Sequence, residues 1–301
     1  MRKLARRHQL LQRALWRLDF ILVWGVVKLA RLLPIDAASR FGNRVGTFIG
    51  PRLKAKSAKY RLNMATVLPA LDDTALDLLV RRAWGRAGQI LAEFPHMDTI
   101  LHDRERLLID IREPVAAYEN HDLPCIIVTA HQSNWEVVGA AMARMGIPNT
   151  TLYSAPTNPL LDEMLLASRR VLNCTLVPRD NGARMLLRSL KQGHAAAMVM
   201  DRRVEDGKLI QFFGHDKLST ILPAKLALTL GCDLIPVQVE RLRDARYRVT
   251  FHSPVRPSDA TENATNQAID MIQQVHGQFE TWIRAHPEDW FCPKLVWQKA
   301  S

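Results

Sequence analysis

The 301-residue sequence predicts an α/β domain with a largely parallel mixed sheet flanked by helices, preceded by an amphipathic helical region. Three observations carry that reading. Short aliphatic runs such as Cys-Ile-Ile-Val-Thr-Ala at 125–130 alternate with longer stretches of helical periodicity. That run is apolar almost throughout, as a strand covered on both faces is. Finally, 48% of the residues are hydrophobic, ample for a core in a chain of this length.

The N-terminal region stands apart by charge. Residues 1–61 hold fifteen Lys or Arg against Asp19 and Asp36, so this segment carries +13 and the other 240 residues sum to −2. On a helical wheel from Leu11 to Leu33, Arg13, Arg17, Lys28 and Arg31 share an arc of about 60°. Leu11, Leu15, Leu18, Leu22, Val26, Leu29 and Leu33 gather opposite. The longest uncharged run, Phe20 to Val27, falls far short of the roughly 20 residues that span a bilayer. A helix lying in the plane of an anionic membrane surface fits this pattern. The plainer alternative is a helix packed on the domain with its charges in water. Gly42, Gly46 and Gly50 then recur every four residues, a stripe that allows close helix contact in a membrane or, more often, in a soluble bundle. The chain is therefore divided into a basic, membrane-associating helical region, 1–61, and an α/β domain, 62–301.

Within the second region, Asp73 to about Leu101 reads as helix, with Asp72 or Asp73 as its N-cap. Strands are expected at Leu107–Ile111, Cys125–Ala130, Thr150–Tyr153, Thr175–Val177, Ala195–Asp201, Leu234–Glu240 and Tyr247–His252. Helices are expected between them, at 134–145, 158–173, 181–192, 220–230 and 261–285. In sheets of this kind ligand sites lie beyond the carboxyl ends of the strands.

Several function classes are disfavoured. Cys125, Cys174, Cys232 and Cys292 are scattered and form no CxxC pair, which argues against a zinc site or a disulfide framework. The basic charge lies in one Leu-rich segment and belongs to no nucleic-acid-binding module, so no nucleic-acid partner is expected. The apolar N-terminal stretch is interrupted by charge and has no small-residue cleavage site, unlike a signal peptide. A GxSxG elbow is absent, which disfavours a serine α/β-hydrolase.

One constellation carries chemistry. His131 directly follows the strand expected to end at Ala130, and Glu136 lies in the first turn of the next helix, with Ser133 or Asn134 as N-cap. A carboxylate folded back to an imidazole fixes its tautomer and supports the imidazolium formed when His takes a proton from a hydroxyl. Spacing alone is weak, since ten histidines and 30 acids give roughly one HxxxxD/E match by chance. A structural His–Glu pair is the plain alternative.

The run Ala130-His131-Gln132-Ser133-Asn134-Trp135-Glu136 resembles the HxxxxD/E block of the glycerolipid acyltransferase superfamily. More closely, the chain resembles the bacterial lipid A biosynthesis acyltransferases, the lauroyl and myristoyl transferase branch. Further blocks follow in that family's order: Tyr153 to Asp162 (YSAPTNPLLD), Arg169 or Arg170, Met198-Val-Met-Asp201, Phe212-Phe213-Gly214, and His286-Pro-Glu-Asp-Trp290 with Trp297. The chain departs from the pattern at Arg202 where Gln is usual, at Ser154-Ala155 after the tyrosine, at Asn173 where Gly is common, and at Asp289 in place of Gln.

The resemblance implies transfer of a fatty acyl chain from a thioester, on acyl carrier protein or CoA, to a hydroxyl of a lipid A precursor or related glycolipid. It implies His131 as general base with Glu136 orienting it. Arg169 or Arg170, Asp201, Asn134, Phe212, Phe213 and Gly214 are implied on the substrate side, with no metal or organic cofactor. It also implies the cytoplasmic face of a bacterial inner membrane. A lysophospholipid acyltransferase with the same dyad, or a non-catalytic membrane-binding protein on the same scaffold, are the rival readings.

Overall fold

The computed structural model describes residues 9–172, 174–178 and 182–297. Three helices open the chain: α1 (Gln9–Arg31), α2 (Ile35–Ile49) and α3 (Lys54–Val67). α4 (Asp73–Glu93) follows, capped by the Asp72 carboxylate accepting from the Ala75 N–H at 2.8 Å. The single helix expected to reach Leu101 breaks at Pro95, which lies in a short 3-10 turn before α5 (Met97–His102).

The strands are β1 (Leu107–Ile111), β2 (Cys125–Thr129), β3 (Asn149–Tyr153), β4 (Cys174–Pro178) and β5 (Ala195–Val199). β6 (Lys208–Phe212), β7 (His215–Ser219), β8 (Asp233–Arg241) and β9 (Tyr247–Phe251) complete them. Between strands run α6 (Ala116–Glu119), α7 (Val137–Arg144), α8 (Pro159–Ser168), α9 (Gly182–Lys191) and α10 (Leu222–Leu230), with α11 (Ala264–Ala285) near the end.

Seven strands form one sheet in the order β1-β9-β8-β2-β5-β3-β4. Every neighbouring pair is parallel except β8 with β9. The expected α/β architecture, a largely parallel mixed sheet between helices, is therefore observed. All five residues of β2 are buried. Ile126 and Val128 join the core beneath α10 and α11, whereas Cys125 and Ile127 join the core on the α7 side. A strand clothed on both faces has no polar side to present, which is why its sequence does not alternate.

Two features depart from expectation. β6 and β7 form an unforeseen hairpin. Its two-residue turn is Phe213-Gly214, both with positive φ, in place of the Asn-Gly or Asp-Gly signal such turns usually carry. The inward position Lys217 is charged, which further masks the strand pattern. Second, position 61, the expected region boundary, falls inside α3, and Tyr60 and Met64 of that helix are fully buried in the core shared with the sheet. The part of the basic region at residues 1–8 and the position Asn173 lie outside the described residues.

The glycine stripe is a helix-packing device. α2 crosses α4 so closely that a Cβ on Gly42 would lie 2.3 Å from the Gly88 carbonyl oxygen, and one on Gly46 2.2 Å from that of Trp84. Gly88 reciprocates at 2.0 Å from the Gly42 oxygen. Backbone cannot yield as a side chain would, so Gly88→Ala is expected to cost about 1–3 kcal/mol by forcing the helices apart. A lower thermal midpoint measured by circular dichroism would check it, against a Gly277→Ala control whose midpoint should hold or rise, because Gly277 lies inside α11 with open space around it.

Candidate active site

Lateral register assembles the site. β2 and β5 pair in parallel with Thr129 opposite Val199. His131 and Asp201 each lie two residues beyond that pair, so the chain ends of two adjacent strands deliver them side by side. His131 Nδ1 and Asp201 Oδ1 are 2.5 Å apart. The second carboxylate oxygen accepts from Trp290 Nε1 at 2.7 Å, and the Asp201 carbonyl accepts from Lys217 Nζ at 2.8 Å. Asp201 and Trp290 are buried, while His131 keeps 8% exposure.

The electrostatics suit a neutral base beside an anion. Burial pushes the His131 imidazole below its ordinary value, against the opposing pull of Asp201. Burial resists ionisation of Asp201, but the imidazole, Trp290 and Arg202 overcome it and hold the carboxyl well below the usual range. With Nδ1–H directed at the carboxylate, Nε2 is the basic nitrogen left for a substrate proton. The imidazole lies edge-on to Trp135, ring centroids 5.0 Å apart, and Trp135 stacks on Phe291.

The segment 287–291 braces this loop from behind. The Phe291 N–H donates to the His131 carbonyl and the Ser133 N–H to the Asp289 carbonyl, both at 2.7 Å. Ser133 takes a positive φ of 52° there. The Gln132 amide donates to the Trp282 carbonyl at 2.7 Å.

The expected contact between His131 and Glu136 is not made. Glu136 is instead held by Arg169, with Nε donating to Oε2 at 2.8 Å and Nη2 donating to Oε1. Nor is Glu136 in the first turn of its helix: it is the N-cap residue of α7, and neither Ser133 nor Asn134 takes that position. Its side chain is thereby aimed at the 3-10 turn Arg169–Leu172 that follows α8.

Other candidates are also displaced. Asn134 is 1% exposed and donates to Glu93, so it faces the interior rather than a substrate. Phe212 and Phe213 are buried against Trp290 and Trp297, and Gly214 completes the hairpin turn. Arg170 is exposed. Of the expected residues, the fold brings together His131 with Asp201, and Glu136 with Arg169.

Lys217 is the participant that sequence reasoning missed. It is 1% exposed beneath Asp201, 3.5 Å from His276 Nε2, with its ammonium 4.7 Å from the Phe212 ring centroid. Burial brings its amine down to about 7. No sequence signal marks a charged residue in an unrecognised hairpin as buried. Cys125, by contrast, is a poor nucleophile, with burial pushing its thiol up to about 12.

α1 is apolar on two sides. Trp16, Phe20, Val23, Val27 and Ala30 turn toward the protein, where the Trp16 carbonyl accepts from Asn158 Nδ2 at 2.8 Å and the Ala30 carbonyl lies 3.0 Å from His96 Nε2. Leu11, Leu18, Ile21, Leu22, Leu29 and Leu32 remain exposed, beside the exposed cations Arg13, Arg17, Lys28 and Arg31. The expected Leu face is thus divided: Leu15, Val26 and Leu33 are partly covered, and the rest is bare. Among the described residues no helix is long and apolar enough to cross a membrane.

The sequence, matched along nearly its whole length, places this chain in a known class of acyl-transferring enzymes. The chain belongs to the bacterial lipid A biosynthesis acyltransferase family, which it matches over residues 6–298, and it is an acyltransferase of that lipid A and glycolipid group. Over 280 residues it is 19% identical to the lipid A biosynthesis acyltransferase of Haemophilus influenzae, covering 86% of each chain. It is 22% identical over 273 residues to the phosphatidylinositol mannoside acyltransferase of Mycobacterium tuberculosis, covering 87% of this chain and 81% of that one. Its counterpart in Mycolicibacterium smegmatis is 24% identical over 269 residues, with 87% and 83% covered. The solved 1-acyl-sn-glycerophosphate acyltransferase of Thermotoga maritima aligns with 83% of this chain and 97% of its own, at 14% identity and a TM-score of 0.37.

Proposed function

We propose that this protein moves a fatty acyl chain from the thioester of acyl carrier protein to a hydroxyl of a lipid A precursor or related glycolipid, at the cytoplasmic face of an anionic inner membrane. His131 is the general base, and Asp201, in the place first expected for Glu136, is its orienting carboxylate. The observation that carries the reading is the Nδ1 bond to Asp201, which leaves Nε2 as the basic nitrogen at the carboxyl end of the sheet.

The chemistry follows from that tautomer. His131 Nε2 takes the proton of the acceptor hydroxyl as its oxygen attacks the thioester carbonyl carbon. The tetrahedral oxyanion collapses, the carbon–sulfur bond breaks, and the imidazolium returns its proton to the departing thiolate. An ester and a free thiol result. Asp201 stays ionised throughout and steadies the imidazolium while it exists.

Purified protein incubated with acyl carrier protein thioesters and either a lipid A precursor or a lysophospholipid tests this. We expect a glycolipid ester by mass spectrometry and no product from His131→Ala. Esterification of the lysophospholipid alone would favour the rival enzyme reading, and no transfer to any acceptor would favour the non-catalytic one.

The exposed face of α1 supports the membrane placement, since bare leucines beside cations suit a headgroup boundary. Neutralising Arg13, Arg17, Lys28 and Arg31 to Gln is expected to cost about 1 kcal/mol of binding each on anionic vesicles. Leu22→Asp should weaken binding to neutral vesicles too. Sedimentation with vesicles of either composition checks both, and unchanged partitioning would remove the helix from the membrane.

A further inference from the structure

Glu93, the last residue of α4, is fully buried and is the hub of a network drawn from four elements. Its Oε1 accepts from Ser39 Oγ of α2 and from Arg241 Nη1 at the end of β8, each at 2.6 Å. Its Oε2 accepts from Arg241 Nη2 at 3.1 Å, from the Tyr247 hydroxyl at the start of β9, and from Asn134 Nδ2 at 3.3 Å. Asn134 Nδ2 also lies 3.5 Å from the Tyr247 hydroxyl.

Asn134 is three residues from His131, in a loop whose residues 131–134 are all buried and whose Ser133 is held at positive φ. One side of this loop is tied to the segment 287–291, as described above. The Asn134–Glu93 bond is its tie on the other side. An interior ion pair is a costly way to gain stability, since apolar residues of equal volume often serve as well or better. What a carboxylate adds is fixed direction: it accepts from several donors at once and sets their mutual positions.

We propose that Glu93 is a positioning residue for the reaction: through Asn134 it sets the loop that aims the His131 imidazole, and through Ser39 it ties that loop to the N-terminal helices. This rests on the acyl-transfer reading above. An amide at position 93 has one acceptor oxygen where the carboxylate has two, and its NH2 must face a guanidinium, a hydroxyl or the Asn134 amide. The donors around it are then no longer all satisfied in their present positions, and the loop shifts.

The test compares Glu93→Gln and Asn134→Ala, singly and together, with Asp36→Asn as control. Asp36 of α2 pairs with Arg106, in the turn before β1, at 2.6 and 3.0 Å, a partly buried ion pair with no hydrogen bond to the loop. Each single variant of the network should lower kcat by roughly tenfold to a hundredfold with KM for the thioester unchanged. The double variant should lose no more than the worse single one, because both act through one contact. Asp36→Asn should lower the melting temperature and keep kcat. Asn134→Ala leaves the other four bonds to Glu93 in place, so it stays informative if Glu93→Gln fails to fold. Full kcat in Asn134→Ala, or multiplicative losses in the double variant, would overturn the proposal.

A second readout separates this claim from the function itself. The His131 imidazole 15N signals, assigned by their absence from His131→Ala, should move in Glu93→Gln and Asn134→Ala and stay fixed in Asp36→Asn. If the wild type transfers no acyl chain to any acceptor, the functional reading fails while these signals still judge the positioning. Signals unmoved in both network variants would refute it.

Discussion

Asp201→Asn is expected to lower kcat by roughly ten-thousandfold, the loss seen when the orienting carboxylate of a catalytic histidine becomes an amide. The reason is the tautomer. Asp201 accepts from Nδ1–H, so the basic lone pair lies on Nε2; an amide can donate its NH2 to Nδ1 and move the proton to the reacting nitrogen. Trp290 Nε1 points at the other oxygen and would keep the carbonyl of that amide, leaving the NH2 facing the histidine.

The pH profile gives this expectation a sign. Burial holds the His131 imidazole below its ordinary value of 6.5, so the wild type should be fully basic at neutral pH. kcat/KM should be flat there and fall tenfold per unit once the pH drops through that lowered value. Asp201 is the group that pulls the imidazole upward. Its neutralisation should therefore move the acid limb to still lower pH while the plateau collapses. Steady-state rates from pH 5 to 8.5 would record both changes. Glu136→Gln should reduce the plateau less than Asp201→Asn does; the reverse ranking would return the orienting role to Glu136.

Arg169→Ala should have a large effect on stability. The pair with Glu136 has side chains only 13% and 9% exposed, and the guanidinium meets the carboxylate through two nitrogens. Burial disfavours the charge on Arg169, and Glu136 more than restores it, so the guanidinium is held more firmly protonated than usual. Removing it strands a carboxylate out of water at a cost of about 3 kcal/mol. In a chain of this size that is a fall of roughly 6–12 °C in the melting temperature. Removing both charges, as in Glu136→Leu with Arg169→Met, should restore most of it, because no lone ion is left behind. Differential scanning calorimetry of the single and double variants decides the matter. A single variant as stable as the wild type would show the pair to be solvated.

The pair also explains the HxxxxE spacing in physical terms. From the N-cap of α7, Glu136 reaches the turn after α8 and ties the strand-end loop to the segment that carries Arg169. Two carboxylates thus flank the histidine loop with different tasks. Asp201 touches the imidazole, and Glu136 holds the neighbouring turn.

Much of this protein was legible in the residues themselves. The unbroken apolar run 125–130 marks a strand buried on both faces, and His131 at its end marks the candidate site, because both depend on local chemistry. The six ordered blocks, spread across the chain, were enough to indicate the family. Asp72 could be read as a cap for the same reason.

Tertiary structure decided which carboxylate meets His131. Five residues of separation made Glu136 the nearer choice along the chain, but the carboxylate 70 residues away arrives through the register of β2 against β5. Lateral register is a property of two strands together, and no spacing within either strand records it. The same holds for α1, whose apolar residues occupy more than one side: only packing could choose Trp16, Phe20 and Val23 for the interior and leave Leu11, Leu18 and Leu22 bare. It holds for Glu93 as well, whose partners lie between 41 and 154 residues away and share nothing in the sequence but their ability to donate to one buried carboxylate.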